Sequence, residues 1–556
     1  MDKLKKIFNF KTNWKIFLVI ILIIASGLAV WASWEDSETT DESAYIAASF
    51  VQLKYHNYDF NPEHPSVSKY FFALPLQFIK LNEPSYNQLL KDSKDFYYSS
   101  FWEIFQYGNK FLYNLGNNAE QIIFLARLTS IFSMLSLGIL IFFWTREWFG
   151  IKAAFFSLIL YLFNPLVLAM GHIANPDMIS AFVFALSLYI FWKFTKKINS
   201  FWLILCGVFL GIALATRFSN LILIPFYLFW MIYFGIKSKT VLLNFKNFIL
   251  ILLIAFLTLW ISYGAPINFV SKYSDSLTVN AFDSQNQEPI SVKYSQYMHK
   301  FCPNFIPANY CKGLMITLYL QEHGLSSYLD GKFSAAGWWY YFPLAFVYKT
   351  PLYLIFFMIV LLGLAITKPR KIFSLQNCYL LSIILLFIIF SLKSKMDLGI
   401  RYILPIYVIS FILLGQIILF FKKIWITIFW LIAVGGIIYT MTIISPRYLT
   451  YFNAIAQGPQ NGWKHLLDSN LDWGQDAKRL NKYLKDNKID KIYLSYIWKK
   501  EPLQYYFIKY EDFDRVKAQN GYLAISVSNL PANQWIFDQY DLVSRLGNSL
   551  YIFKIK

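Results

Sequence analysis

Apolar runs of about 20 residues recur along this chain, more than a soluble fold could bury. A helix of that length rises ~1.5 Å per residue and matches the ~30 Å hydrocarbon core of a bilayer. Such runs lie near 14–34, 121–144, 152–172, 178–194, 201–217, 219–236, 245–265, 343–366, 376–392, 400–421 and 424–445. The spacing predicts a polytopic α-helical membrane protein with about eleven crossings. Composition agrees, because 57% of the 556 residues are hydrophobic and only 15% are charged. The formal net charge of +19 is carried largely by short loops between the apolar runs. That placement points to membrane orientation and anionic lipid headgroups, so no nucleic-acid partner is expected.

Loop charge sets the orientation. Lys3, Lys5, Lys6, Lys11 and Lys15 precede or open the first run, which is read as a retained helix and not a cleaved signal peptide. Alternate loops then carry Arg146 and Lys152; Lys193, Lys196 and Lys197; Lys237, Lys239 and Lys246; Lys368, Arg370 and Lys371; Lys422 and Lys423. Glu147 is the one acid among them, whereas Glu35, Asp36, Glu38, Asp41, Glu42, Asp59 and Glu63 crowd the first loop of the other set. Basic loops stay in the cytoplasm. The expectation is a multi-pass protein of the cell membrane, with its N-terminus cytoplasmic and its C-terminal segment extracytoplasmic.

The division expected is a membrane domain over 1–445 and an outer α/β domain over 446–556. Two long outer loops, 35–120 and 266–342, belong to the first. Within 35–120, the stretches Ala44 to Tyr55 and Val67 to Ile79 read as amphipathic helices for the interface. In the second, Cys302 and Cys311 share one polar loop; a disulfide and two free thiols both remain open. Cys206 and Cys378 lie in apolar runs. Beyond 446, Ala477, Leu480 and Leu484 recur at helical spacing, and Lys491 to Tyr496, Tyr522 to Val527 and Leu550 to Ile555 read as strands.

Charge at a membrane boundary needs a reason, and here it gathers on one side. Asp41-Glu42 follows the first run; as a pair they suit a general base and a positioning group, or else an acidic first turn of a helix. Asp177 in Asn175-Pro176-Asp177 is a third carboxylate candidate, or a helix cap. Arg127, Arg217 and Arg401 stand at the same side, where guanidinium can hold phosphate oxygens or snorkel to headgroups. His64 and His172 join this set as binding candidates. Trp338 and Trp339, in a Gly-Trp-Trp-Tyr-Tyr-Phe-Pro run, suit the headgroup level. Asp468, Asn470 and Asp472 begin like a calcium loop but lack its Gly and its final Glu. No Walker loop, dinucleotide fingerprint or spaced Cys/His zinc motif is present.

These pieces occur in a recognisable order. Asp41-Glu42 with Tyr45 and Ala48, His64-Pro65, Ala126-Arg127-Leu128, Asn175-Pro176-Asp177, Ala215-Thr216-Arg217-Phe218-Ser219, Gly337 to Pro343 before Lys349-Thr350-Pro351, Gly399-Ile400-Arg401-Tyr402, and Asp468 to Asp476 follow one another nearly end to end. The chain resembles the GT-C membrane glycosyltransferases, in particular the protein O-mannosyltransferase-like glycosyltransferase family 39. It departs from that pattern at Ser66, where a second proline usually follows His-Pro, and no segment suits a β-trefoil domain.

The resemblance implies an inverting transfer of a sugar, mannose-like hexose foremost, from a polyprenyl- or dolichyl-phosphate carrier to an acceptor hydroxyl. It implies Asp41 as base, Glu42 and Asp177 as positioning groups, and the arginines as phosphate holders. The acceptor is a protein Ser/Thr or, as in the aminoarabinose transferases, a lipid or cell-surface glycan. A divalent cation at Asp41 or Asp177 fits the class, and the sequence leaves it open. The rival from another class is a lipid-linked sugar transporter, which would show internal repeats and polar groups at mid-membrane depth. Neither is evident here.

Overall fold

The computed structural model describes residues 13–83, 101–265, 306–497, 500–515 and 520–555. Helices dominate. Among the described residues, seven are long and apolar enough to cross a membrane: Trp14–Glu35, Ala119–Phe149, Pro176–Lys196, Phe218–Ser238, Val241–Ser262, Ile400–Phe420 and Lys423–Ile444. Two more spans are broken pairs, Ile151–Leu162 with Pro165–His172 and Tyr341–Lys349 with Leu352–Thr367. Ser200–Leu214 and Leu375–Ser391 are shorter apolar helices. Each of the eleven predicted runs therefore has its helical counterpart, but two of them are not straight.

The breaks have a local cause. Proline disfavours helical backbone in the residue before it, and both breaks fall there, at Asn164-Pro165 and Thr350-Pro351. Asn164 caps the second half by accepting hydrogen bonds from the Leu166 and Val167 amides. The bend is 62° at the first break and 117° at the second. The expected crossing over 343–366 thus starts at Leu352, and Tyr341–Lys349 runs across it. Lys349 is buried in this corner and donates to the Leu449 and Asn470 carbonyls at 2.8 and 2.5 Å.

Contacts at the two ends sort the loops as the charge pattern predicts. At one end Arg146 lies 4.2 Å over the Trp14 ring and Lys193 pairs with Glu147 at 2.5 Å. At the other end, ~33 Å away along a 22-residue helix, sit the acidic first loop and its arginine partners.

The stretch after Asp41 departs from expectation. Helix Glu42–Tyr55 is buried from Glu42 through Gln52 and does not lie at an interface. Its Ser43, Ala44, Ala47, Ala48 and Ser49 are too small to keep neighbours away, so other helices close over every side. Helix Ser66–Ala73 keeps an outward face, which Leu74 and Phe78 continue into solvent or lipid.

Beyond the last apolar helix lies a five-stranded mixed sheet in the order β4-β3-β5-β7-β6. Its strands are β3 Ile492–Ser495, β4 Tyr510–Asp512, β5 Gly521–Ser526, β6 Asp541–Leu546 and β7 Leu550–Ile555. β3 pairs in parallel with β4 and β5, and β7 runs antiparallel to β5 and β6. Helix Ala477–Asp486 buries Ala477, Leu480 and Leu484, the apolar face seen in the sequence, in one cluster with Ile492, Leu494 and Ala524 of the sheet. Strands β4 and β6 went unread, being short or outward-facing on both sides. A two-stranded hairpin, β1 Ser327–Leu329 with β2 Lys332–Ser334, sits in the second long loop. Cys311 is disulfide-bonded and Cys206 and Cys378 are free thiols. Cys302 lies outside the described residues.

Candidate active site

Asp41 and Glu42 are neighbours in sequence and face different surroundings. Glu42 turns inward, where Arg127 grips it with two charge-assisted bonds, Nε to Oε1 at 2.7 Å and Nη2 to Oε2 at 2.6 Å. The Ala174 and Thr39 amides donate to the same carboxylate at 2.7 and 2.8 Å. The other donors of Arg127 go to the Ser33, Asp36 and Ser37 carbonyls at 2.7–2.9 Å. Both side chains are fully buried and every donor and acceptor is used. Arg127 therefore ties the first helix, the first loop and the loop before Asp177 together. It has no free edge for a phosphate.

His172 is occupied similarly. Its Nε2 meets Asp36 Oδ2 at 2.9 Å and its Nδ1 meets the Leu168 carbonyl at 2.7 Å. Asp36 in turn accepts from Arg479 at 2.6 Å. Burial works against ionising Asp36, yet Arg479, then His172 and Arg127, hold its carboxyl down at about 2.

Asp41 faces the opposite way and keeps 20% of its side chain exposed. It accepts from the Tyr45 hydroxyl at 3.2 Å, and Arg401 Nη2 approaches its Oδ2 to 3.7 Å. Asp177 comes from another quarter of the fold. Asn175 caps helix Pro176–Lys196, accepting from the Asp177 amide at 2.9 Å, with Pro176 at the first helical position. The cap is Asn175, which leaves the Asp177 carboxylate to face inward. There Arg217 pairs with Oδ1, and Arg401 Nη1 stands 3.5 Å from Oδ2. Asp177 Oδ2 and Arg401 Nε are buried and make no hydrogen bond to any described residue. Arg217 and Asp177 thus pair closely, while Arg401 stands farther from both acids than a charge-assisted hydrogen bond would bring it.

Tyr402 and Trp473 line the arginines. The Tyr402 ring lies 5.1 Å from the Arg217 guanidinium and 5.3 Å from that of Arg401; Trp473 covers Arg401 at 4.3 Å. Asp468 adds a third negative group facing Arg401; burial pushes its carboxyl up and Arg401 holds it down. Gly399 lets this segment close in, because a Cβ there would sit 2.4 Å from Ser469 Oγ. The Ile400 amide then bonds Asn470 Oδ1 at 3.0 Å.

The His64 ring meets the Tyr45 ring edge to face at 4.7 Å. Burial, with Arg217, Lys69 and Arg401 nearby, keeps its imidazole well below the usual range, hence neutral. Beside it Glu63 is pushed up to about 7 by burial and by the charge of Asp41, with Lys69 opposing. Glu63, Lys69, Tyr45, Tyr402 and Trp473 were not among the residues expected from the sequence. Signals were available for four of them: Tyr45 beside Asp41-Glu42, Glu63 beside His64-Pro65, Tyr402 after Arg401, and Trp473 in the Asp468 to Asp476 segment.

The tryptophans of the Gly-Trp-Trp run do not join this cluster. The Trp338 amide donates to Asp397 Oδ2 at 2.7 Å, and Trp339 is 68% exposed. Among the described residues no group of three His, Cys, Asp or Glu side chains could hold a metal ion.

The family described as dolichyl-phosphate-mannose-protein mannosyltransferase matches residues 105–263, the segment holding Arg127, His172, Asp177 and Arg217. No curated protein matches by sequence. Among solved structures, the fold is similar to that of ArnT from Cupriavidus metallidurans bound to undecaprenyl phosphate, with a TM-score of 0.50 at 12% identity over 98% of both chains. An Archaeoglobus fulgidus oligosaccharyltransferase tethered to an acceptor peptide gives 0.46 at 10% identity, over 94% of this chain and 70% of that one. AglB from the same organism, in complex with an inhibitory peptide and a dolichol-phosphate, gives 0.46 at 11% identity, over 89% and 64%. The family match spans residues 105–263, and the likeness to ArnT shows a shared fold along the chain.

Proposed function

We propose that this chain moves a sugar, with inversion, from a polyprenyl- or dolichyl-phosphate carrier to an acceptor hydroxyl at the cluster of Asp41, Asp177, Arg217 and Arg401. The observation that carries this reading is Arg401, whose guanidinium stands 3.7 Å from Asp41 and 3.5 Å from Asp177. A carboxylate able to act as base and a cation able to hold a phosphate are thereby in one place.

The charges follow the reaction. A sugar phosphodiester carries one negative charge, and the departing lipid phosphate carries two. As the acceptor oxygen attacks the anomeric carbon, its proton passes to Asp41 and the sugar–phosphate C–O bond breaks, its electron pair leaving on the phosphate. Protonated Asp41 no longer attracts Arg401, so the guanidinium is released to the phosphate as the second charge develops. Asp177, held by Arg217 and Arg401 together, keeps both cations aimed. Glu42 and Arg127 act at one remove, fixing the backbone on which Asp41 stands.

A mannose-like hexose and a protein Ser/Thr acceptor are the first choice, in line with the description of the matching family. Transfer to a lipid or cell-surface glycan is the second, favoured by similarity to ArnT along 98% of both chains. The proposed division is a catalytic membrane domain over 1–445 and an outer domain over 446–556. The proposed orientation puts the N-terminus in the cytoplasm of a plasma-membrane protein and the sheet domain outside. Membrane-impermeant labelling should then modify Asn520→Cys but not Lys239→Cys; the reverse pattern would remove the orientation.

The decisive test is purified protein with a panel of polyprenyl-phosphate sugars, offered hydroxyl peptides and glycolipids as separate acceptors. Transfer to either acceptor supports the reaction and chooses between the two classes. Absence of transfer from any lipid-phosphate donor would refute it.

A further inference from the structure

Trp473 lies beyond the membrane helices, 432 residues after Asp41, yet two parts of it touch the site. Its backbone carbonyl accepts from the Thr40 amide at 2.8 Å and from Thr40 Oγ1 at 3.1 Å. Thr40 immediately precedes Asp41. Its indole ring lies over the Arg401 guanidinium, 4.3 Å from atom to ring centre. One residue therefore holds the base's loop through its main chain and the bridging cation through its side chain.

Its own position is well determined. The Ser37 amide and hydroxyl donate to the Gln475 and Gly474 carbonyls at 3.0 and 3.2 Å, and the Ala477 amide donates back to Ser37 Oγ at 3.1 Å. The Trp473 amide itself donates to Gln475 Oε1 at 2.8 Å. Gly474 takes a φ of +86°, which turns the chain so that Trp473 can face inward while Gln475 faces its own backbone. Asp472 accepts from the Ser526 and Ser528 hydroxyls at the end of β5, tying the turn to the sheet.

The ring has a physical task. A guanidinium between two carboxylates ordinarily closes to 2.7–2.9 Å on one of them. Arg401 stays at 3.5 and 3.7 Å instead, with Nε unused. An aromatic face attracts the cation without donating or accepting a hydrogen bond, so it can hold Arg401 while leaving its N–H groups uncommitted. We propose that Trp473 is a positioning residue that keeps Arg401 off its carboxylate neighbours and open to the lipid phosphate, linking the outer domain to donor binding. This rests on the glycosyl-transfer reading above.

The backbone contacts to Thr40 survive any substitution at 473, so side-chain variants isolate the ring. The measurement is binding of undecaprenyl phosphate to the purified full-length protein, which needs neither sugar nor acceptor. Trp473→Leu should weaken binding about 5- to 30-fold, the range spanned by a desolvated cation–π contact. Trp473→Phe, which keeps a smaller π face, should stay within about threefold of the parent. Fluorinated tryptophans placed at 473 alone preserve shape and folding; binding should weaken stepwise with each fluorine. A released Arg401 should also close on Asp41 and move the acid limb of the transfer rate to lower pH in Trp473→Leu.

Unchanged binding across the fluorinated series overturns the proposal, as does equal loss in Leu and Phe, which would make the ring a spacer. If the parent protein binds no undecaprenyl phosphate, the functional reading fails first, and with it this one. Binding in the parent with no response to fluorine removes only the role of Trp473.

Discussion

Asp41 and Glu42 are adjacent carboxylates, each facing an arginine, and the two pairings differ in almost every respect. Glu42 and Arg127 meet in bidentate contact at 2.6–2.7 Å, wholly buried, with every remaining donor and acceptor taken by backbone. Asp41 and Arg401 stand 3.7 Å apart in a cluster that Asp177 and Arg217 also join, with Asp177 Oδ2 and Arg401 Nε making no hydrogen bond to any described residue. A closed ion pair has nothing left to give a ligand, and its worth lies in holding segments together. An open cluster is poorly used in the free protein and gains on binding an anion. The contrast separates scaffold from site more sharply than charge or burial alone.

The largest effect that could break this comparison is at the base. Asp41→Asn should lower turnover by about 100- to 10,000-fold, the cost of losing a general base. Undecaprenyl-phosphate binding and the thermal midpoint should stay close to the parent values. Near-parent turnover in Asp41→Asn would erase the distinction between the two acids.

Next comes the closed pair. Arg127→Met leaves Glu42 buried without a counter-ion, which costs about 3–5 kcal/mol. The expected outcome is a steep fall in the thermal midpoint and in the yield of folded protein. Turnover per folded molecule should fall far less than in Asp41→Asn. A folded Arg127→Met protein of parent stability that had lost donor binding would move Arg127 into the site and end the contrast.

How far this could be read from sequence depends on distance along the chain. The apolar runs and the alternation of loop charge are local signals, and they located eleven helical segments and the two ends of the bundle. Hydropathy carries no direction, so the bends at Asn164-Pro165 and Thr350-Pro351 passed unread although both prolines were visible. Pairings are a property of the fold: Arg127 lies 85 residues from Glu42 and Arg479 lies 443 from Asp36. Nothing in a dipeptide of two acids says which will turn inward, since one helical residue rotates the side chain by ~100°. The sequence groups the three arginines without dividing them, and the difference between Arg127, closed on Glu42, and Arg401, apart from its acids, rests on those long-range contacts. Trp473 was read as part of a motif, and its contact with Arg401 emerges only when the C-terminal segment is folded against the helices.

Arg401 sharpens the comparison from the cation's side. Arg401→Ala should weaken undecaprenyl-phosphate binding by about 10- to 100-fold, the range for hydrogen bonds to a charged group, and should lower turnover too. The phosphate is present in the ground state and gains its second charge in the transition state, so KM for the donor and kcat should both change. Asp41→Asn should alter kcat with little change in donor KM. Identical kinetic signatures in the two variants would mean that base and cation are not separate parts of the open cluster.

The smallest effect concerns Glu63, the acid that stands beside the open cluster and belongs to neither pair. Burial and the charge of Asp41 raise its carboxyl from an ordinary 4.5 to about 7, with Lys69 opposing. Between those two values the folded protein holds a proton that the unfolded chain has released. Stability from this group is therefore fully present below about 4.5 and is lost as pH rises through 7. Glu63→Gln carries no titrating group, so it should remove that slope. Its thermal midpoint should match the parent near pH 4 and exceed it at pH 8 by on the order of a few °C. Below about 7 the folded protein keeps Glu63 neutral, so the same substitution should leave the acid limb of the transfer rate where it stands in the parent. Parallel stability profiles of Glu63→Gln and parent across pH 4 to 8 would detach Glu63 from Asp41 and leave the cluster with only its four charged members and Asp468.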